Sequence, residues 1–267
     1  AALTLNAHLG DHVLTSITGY SGYDFTNVFD LDGTSAASPF VPGAPLFNAD
    51  QTEKYRQFSQ ELRLTSPSGG KIEYMVGAYY QHSSIDWRNT LGLNFIPFST
   101  IPPLAGRIRP GDAVGQDFFN NQRDDVFSAF VAGTWNISAR ARFNVGLRYT
   151  DVKKKVHKGE QTGLTNPFYD SALPNLDSFV RFDDPVTEAI VAGVLGIDLF
   201  DARISQHDHD WMPSASLQYD VTDAVMTYAS YANGFKAGGF SFATHTLGGD
   251  ANGDGTVSAK ELYDPIA

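Results

Sequence analysis

Between residues 57 and 65 the chain alternates along an extended strand. Phe58, Gln60, Leu62 and Leu64 fall on one side, and Ser59, Glu61, Arg63 and Thr65 on the other. After the turn-forming Pro67-Ser68-Gly69-Gly70 the pattern resumes, with Ile72, Tyr74, Val76, Ala78 and Tyr80 set against Glu73, Met75, Gly77, Tyr79 and Gln81. Two such runs across one short turn predict a β-hairpin. The same rule predicts three more: residues 2–9 with 12–25 across Gly10-Asp11, residues 127–135 with 143–149 across a turn near Ser138 to Ala141, and residues 211–219 with 225–235 across Val221-Thr222-Asp223-Ala224.

The sum is about eight strands in four hairpins. The connections between hairpins, roughly residues 26–52, 88–121 and 156–206, and the tail after Phe240 are long, whereas compact soluble domains connect their elements with a median of about 4 to 6 residues. Short turns alternating with long loops predict an all-β fold: a segment of an antiparallel transmembrane β-barrel with short periplasmic turns and long extracellular loops. Tyr20, Tyr23, Phe25, Tyr80, Trp87, Trp135, Tyr149, Trp211 and Tyr219 lie near strand ends, as interfacial girdles require, and Glu61, Arg63, Arg142 and Arg148 suit a wet lumen. Two other architectures share the alternation. A secreted calcium-dependent β-sandwich binding module predicts two facing sheets around a dry core, and a small closed eight-stranded barrel of structural or adhesive function predicts pairing of the first strand with the last.

Composition sharpens this reading. The 19 Phe, 12 Tyr and 25 Gly beside 18% charged residues favour strands and turns over amphipathic helices. The absence of cysteine removes disulfides, thiolate zinc sites and thiol nucleophiles together. A net charge of -11 argues against nucleic acid as a partner, because coating a polyanion takes clustered Lys and Arg. No apolar run approaches the ~18 to 20 residues of a transmembrane helix, and the best, residues 189–200, is interrupted by Asp198. Residues 1–9 read as a strand without the basic start of a signal peptide, so the chain is expected to continue upstream. No nucleophile elbow, phosphate loop, dinucleotide fingerprint or zinc-protease helix is recognisable, and no catalytic activity is expected.

Three stretches, residues 57–65 (QFSQELRLT), 146–155 (GLRYTDVKKK) and 228–240 (YASYANGFKAGGF), resemble barrel strands of TonB-dependent outer-membrane receptors, particularly the siderophore-receptor-like group. Residues 14–23 and 126–136 fit the same series in order. The resemblance implies that residues 1–267 form a partial barrel domain lacking the family's N-terminal plug, its TonB box and its C-terminal strands. It also implies a bacterial outer-membrane location, contact with outer-membrane lipid and lipopolysaccharide, and uptake of an iron–siderophore complex or similar scarce nutrient by the intact receptor. Coupling to TonB would run through the missing N-terminal part.

The sharpest local motif is Asp250-Ala251-Asn252-Gly253-Asp254-Gly255-Thr256-Val257-Ser258-Ala259-Lys260-Glu261, which follows the twelve-residue EF-hand calcium loop. Asp250, Asn252 and Asp254 would supply side-chain oxygens to Ca2+, Thr256 its carbonyl, Ser258 a ligand through water, and Glu261 both carboxylate oxygens. The residues before it lack helical periodicity, so a lone loop inserted between barrel strands is expected rather than a complete helix-loop-helix.

Weaker signals remain. His207 and His209 share one side of an extended segment and could offer two nitrogens to a transition metal, but no third ligand is identifiable from sequence, and a polar loop rejoining the barrel before Trp211 is the plainer account. Lys153-Lys154-Lys155 with His157 and Lys158 is the main basic run, suited to lipopolysaccharide phosphates or to a solvated strand end. Phe95, Phe98, Phe118, Phe119, Arg107 and Arg109 suit a planar anionic ligand, or a loop folded on its own side chains. Residues 187–199 could form a short helix within the next long loop.

Overall fold

In the computed structural model, which describes residues 1–165, 179–240 and 263–264, the chain runs through β1 (Ala2–Leu9), β2 (His12–Asp30), β3 (Phe47–Thr65), β4 (Ile72–Leu93), β5 (Ala113–Ser138) and β6 (Ala141–Thr165). There follow β7 (Val180–Arg181), α1 (Pro185–Leu195), β8 (Phe200–Thr222), β9 (Val225–Ala232), β10 (Gly239–Phe240) and β11 (Tyr263–Asp264). The long strands form one antiparallel sheet in the order β1-β2-β3-β4-β5-β6-β8-β9, with β7 on the tip of β6. All four predicted hairpins are present, joined at Gly10-Asp11, residues 66–71, Ala139-Arg140 and Asp223-Ala224. Gly10 turns the first of them at a φ of 61°, which only a residue without Cβ adopts at no steric cost.

The sheet inverts the burial of a soluble protein. Phe58, Leu62, Val76, Val131, Val145 and Leu217 all point to one face and remain 41 to 48% exposed. Among the described residues no second sheet covers them, as a sandwich would require. Each such side chain gains roughly 1.5–3 kcal/mol when moved from water into an apolar medium, so this face is built for hydrocarbon. Among the described residues β1 pairs only with β2 and β9 only with β8, so the sheet is open and the closed eight-stranded barrel is not formed.

Strand length departs from the sequence reading. β5 has 26 residues and β6 has 25, whereas about 9 to 11 tilted residues cross a membrane. The first two connections are therefore residues 31–46 and 94–112, and β6 and β8 reach into the third as far as Thr165 and Phe200, so the paired strands take up much of what reads as loop. Beyond the hydrocarbon polar side chains occupy both faces, period-two alternation lapses, and stretches such as residues 117–121 read as loop although they are fully paired.

Register also sorts the aromatic residues. Tyr20, Phe58, Tyr80, Phe127, Tyr149 and Trp211 form a belt along the upper rim of the apolar face, and Trp135 and Tyr219 mark its lower rim. Tyr23, Phe25 and Trp87, expected in the girdle, fall on the polar face instead: Tyr23 stacks on Tyr55 at 5.5 Å and donates to Glu53.

Candidate functional site

Above the belt the polar face of the strand tips carries an apolar cap. Leu93 and Val114, from β4 and β5, pack with Phe98, Leu104 and Ile108 of the connection between them and with Val191 of α1. Among the described residues the cap is the main buried apolar cluster, and the sheet below it forms none of its own. α1 is set by its ends: Asp184 accepts from the backbone N–H groups of Val186 and Thr187 at 3.2 Å, Pro185 opens the first turn, and Gly196 closes the helix in the left-handed conformation. Two ion pairs fasten it, Arg107 to Asp184 and Arg181 to Glu188, the latter through contacts of 2.8 and 3.0 Å.

The aromatic loop residues are accordingly committed to packing. Phe98 is buried in the cap, Phe95 meets Phe47 edge-on at 6.0 Å, Phe119 meets His157 at 5.0 Å, and Arg107 holds α1. These contacts fit a loop folded on its own side chains.

Beneath the cap the polar face presents Gln116, Asn120, Gln122, Lys158 and Glu160 on adjacent strands, all less than 10% exposed. Burial pulls the Lys158 ammonium down to about 8 from an ordinary 10.5, with the Glu160 carboxylate drawing it part of the way back. Asn120 lies opposite Lys158 and is fully buried, and its side-chain oxygen and nitrogen find no partner among the described residues. Buried amides normally hydrogen-bond, so this pair of atoms marks a place where a donor and an acceptor are on offer.

On the opposite face at the same height Asp117, wholly buried, accepts from Arg88 at 2.6 and 3.1 Å, from Thr90 at 2.9 Å and from Gln161 at 2.8 Å. These four hydrogen bonds, two of them from the one guanidinium, satisfy a carboxylate held out of water.

Lower on the polar face, Arg148 lies over the rings of Tyr79 and Phe130 at 6.0 and 5.9 Å and donates to Ser128 at 2.9 Å. Gly77 makes the approach possible, because a Cβ there would stand 2.5 Å from the Phe130 ring.

The basic run does not act as one unit. Lys153, Lys155 and His157 lie on the apolar-side face above the belt, whereas Lys154 and Lys158 lie on the polar face, where Lys154 donates to the Gly238 carbonyl at 2.6 Å. Register adds Arg123 beside Lys155 and Arg203 beside His157, cross-strand neighbours that no linear motif shows.

The calcium motif Asp250, Asn252, Asp254, Thr256, Ser258 and Glu261 lies outside the described residues. Its flanks are described: β10 pairs antiparallel with β11, Gly239 opposite Asp264 and Phe240 opposite Tyr263, so backbone pairing brackets the segment that contains it. His207 and His209, expected on a loop, sit instead within β8. They share one face with Asp151 of β6, the ligand candidate the sequence could not supply.

Set against known proteins, residues 1–260 match the family described as TonB dependent receptor-like, beta-barrel. No curated protein matches the chain. A similar solved structure is the ferric yersiniabactin uptake receptor FyuA from Yersinia pestis, with a TM-score of 0.60 at 14% identity. The match covers 91% of this chain and 28% of that one, and at this identity it is a likeness of fold.

Proposed function

Because the chain belongs to the TonB-dependent receptor β-barrel family, a class of outer-membrane transporters, we propose that it is the part of a receptor wall that takes up an iron–siderophore complex or a similarly scarce nutrient. The observation that carries this reading is the polar wall beneath the cap. Lys158 and Asn120 place a largely buried cation and an amide on the lumen side, beneath the packed cap. Ferric chelates are compact, commonly anionic and rich in acceptor oxygens, and a positive charge held in low-dielectric surroundings would attract them more strongly than a solvated lysine does. TonB would energise release through parts of the receptor outside this chain.

Two partners complete the proposal. Arg123, Lys153, Lys155 and Arg203, which share the apolar-side face above the aromatic belt, would pair with lipopolysaccharide phosphates. Asp250, Asn252, Asp254, Thr256, Ser258 and Glu261 would bind Ca2+ and order the loop between β10 and β11.

The test is growth under iron limitation on a panel of single ferric chelates, comparing cells with and without the protein, together with uptake of radiolabelled iron. Loss of growth on one chelate class, restored by the wild-type protein and impaired by Lys158→Gln, is the expected result. Unchanged uptake from every chelate would overturn the iron reading.

A further inference from the structure

The outward face just above the aromatic belt holds a cluster that neither transport nor membrane anchoring uses. His207 and His209 are two residues apart on β8 and so project from the same face, with ring centroids 5.8 Å apart. Asp151 on β6 lies directly opposite His209 in the register, and its carboxylate reaches His207 Nε2 at 2.5 Å. One ligand atom from each of the three residues lies within 4.8 Å of the other two. We propose that Asp151, His207 and His209 form a surface site for a divalent transition-metal ion of the zinc class.

The donor set selects the ion. Two neutral imidazoles and one carboxylate suit Zn2+, Cu2+ or Ni2+, whereas Ca2+ and Mg2+ demand oxygen shells of six or more. Around a tetrahedral zinc with bonds of about 2.0–2.1 Å the donor atoms stand roughly 3.4 Å apart, so the Asp151–His207 contact must open and the wider spacings must close, each by about an ångström. Rotation about side-chain torsions does this without moving the backbone, and the room exists: His207 is about half exposed at its side chain.

The strands supply the rigidity that three exposed side chains would lack on a loop. β6 and β8 are paired without interruption from Ala141 opposite Tyr219 to Glu160 opposite Phe200, which fixes the separation of the two backbones carrying the ligands. Tyr149 and Trp211, 4.9 Å apart, flank the cluster on the same face, and Tyr149 also contacts the His209 ring. Aromatic neighbours lower the local dielectric and strengthen the attraction between the ion and the Asp151 carboxylate.

A structural account is available for part of the cluster: His207 and Asp151 form an ordinary hydrogen-bonded pair, as His82 does with Asp125 and His157 with Asp201. Those two other pairs are single imidazole–carboxylate contacts. Only here, among the described residues, does a second imidazole enter the same coordination distance. Lys153, whose Nζ lies 3.9 Å from Asp151, is the competing cation and would swing away when the ion binds. Three protein ligands leave a fourth position open toward the lipid headgroups, for water or for a phosphate oxygen.

The experiment uses the whole protein in detergent, free of any histidine tag, stripped with a chelator and held in excess Ca2+ so that the Asp250–Glu261 segment does not contribute. Cobalt(II) serves as the spectroscopic probe and zinc as its competitor. One cobalt per protein is expected, with visible bands of the intensity of four- or five-coordinate cobalt that zinc abolishes. His207→Ala with His209→Ala should weaken binding at least tenfold, and Asp151→Asn about tenfold. Asp151→His, which keeps the site and replaces oxygen by nitrogen, should tighten it. Retention of the heat-modifiable gel shift of a folded barrel separates loss of the site from loss of the fold. Absence of saturable cobalt or zinc binding to the wild type, or binding undiminished in the folded double variant, overturns the proposal.

Discussion

Arg107, between β4 and β5, is ion-paired with Asp184, the residue that caps the first turn of α1 77 positions further along the chain. Two connections distant in sequence are thereby fastened at their surface, over a shared apolar core. Both side chains are 43% exposed, so solvent screens the pair and its value lies in setting where α1 begins. Arg107→Ala should loosen the cap mildly, and Asp184→Ala, which also removes the helix cap, should loosen it more. Limited proteolysis should cut near residues 105–112 faster in both variants, and faster in Asp184→Ala than in Arg107→Ala.

The outward face makes a sharper claim. Val131 lies mid-sheet on the apolar face and Ala132 beside it on the polar one. Val131→Lys should destabilise the folded barrel by about 2–4 kcal/mol, while Ala132→Lys should cost under about 1 kcal/mol because its ammonium enters the lumen. Urea unfolding in lipid vesicles, followed by tryptophan fluorescence, compares the two. Equal costs would place lipid and lumen wrongly.

Lys158 sets a pH dependence. Its folded-state value of about 8 lies below the ordinary 10.5 of an unfolded chain. Between those values the unfolded state binds more protons, so stability rises with pH across that window and is lowest where Lys158 is charged in both states. Lys158→Met should therefore raise the thermal midpoint at pH 7 and flatten its rise toward pH 10. A midpoint that falls on substitution at pH 7 would mean that the ammonium is paired well enough to offset its burial.

Calcium titration by calorimetry of the whole protein checks the Asp250–Glu261 segment. Saturable binding that disappears in Asp250→Ala with Glu261→Ala is expected, since these residues hold the first and last coordinating positions. Heat unchanged by the double substitution would make the segment an acidic linker.

Sequence and structure agree where physics acts on one residue at a time. Leu62 and Ala78 fall opposite each other because hydrocarbon on one side and water on the other enforce alternation, and the turn at Gly10-Asp11 fixes register by itself. A short helix was expected over residues 187–199, but its ends were missed: Asp184 and Pro185 start α1 earlier, and Gly196 ends it sooner in the left-handed conformation. The strand tips were not legible, since residues such as Asp117 and Asn120 are polar on both faces and gain their burial from loops distant in sequence. Asp151 was invisible as a ligand for a related reason: it lies 56 positions from His207, and only the β6–β8 register joins them.

Strand alternation gives the segment from Lys153 to Lys158 two separate audiences. Lys153, Lys155 and His157 address the membrane surface, while Lys154 and Lys158 address the interior. Adaptation to a new envelope and adaptation to a new cargo can thus proceed within the same six residues without interfering. A one-residue insertion there would exchange the two sets at a stroke and spoil both at once.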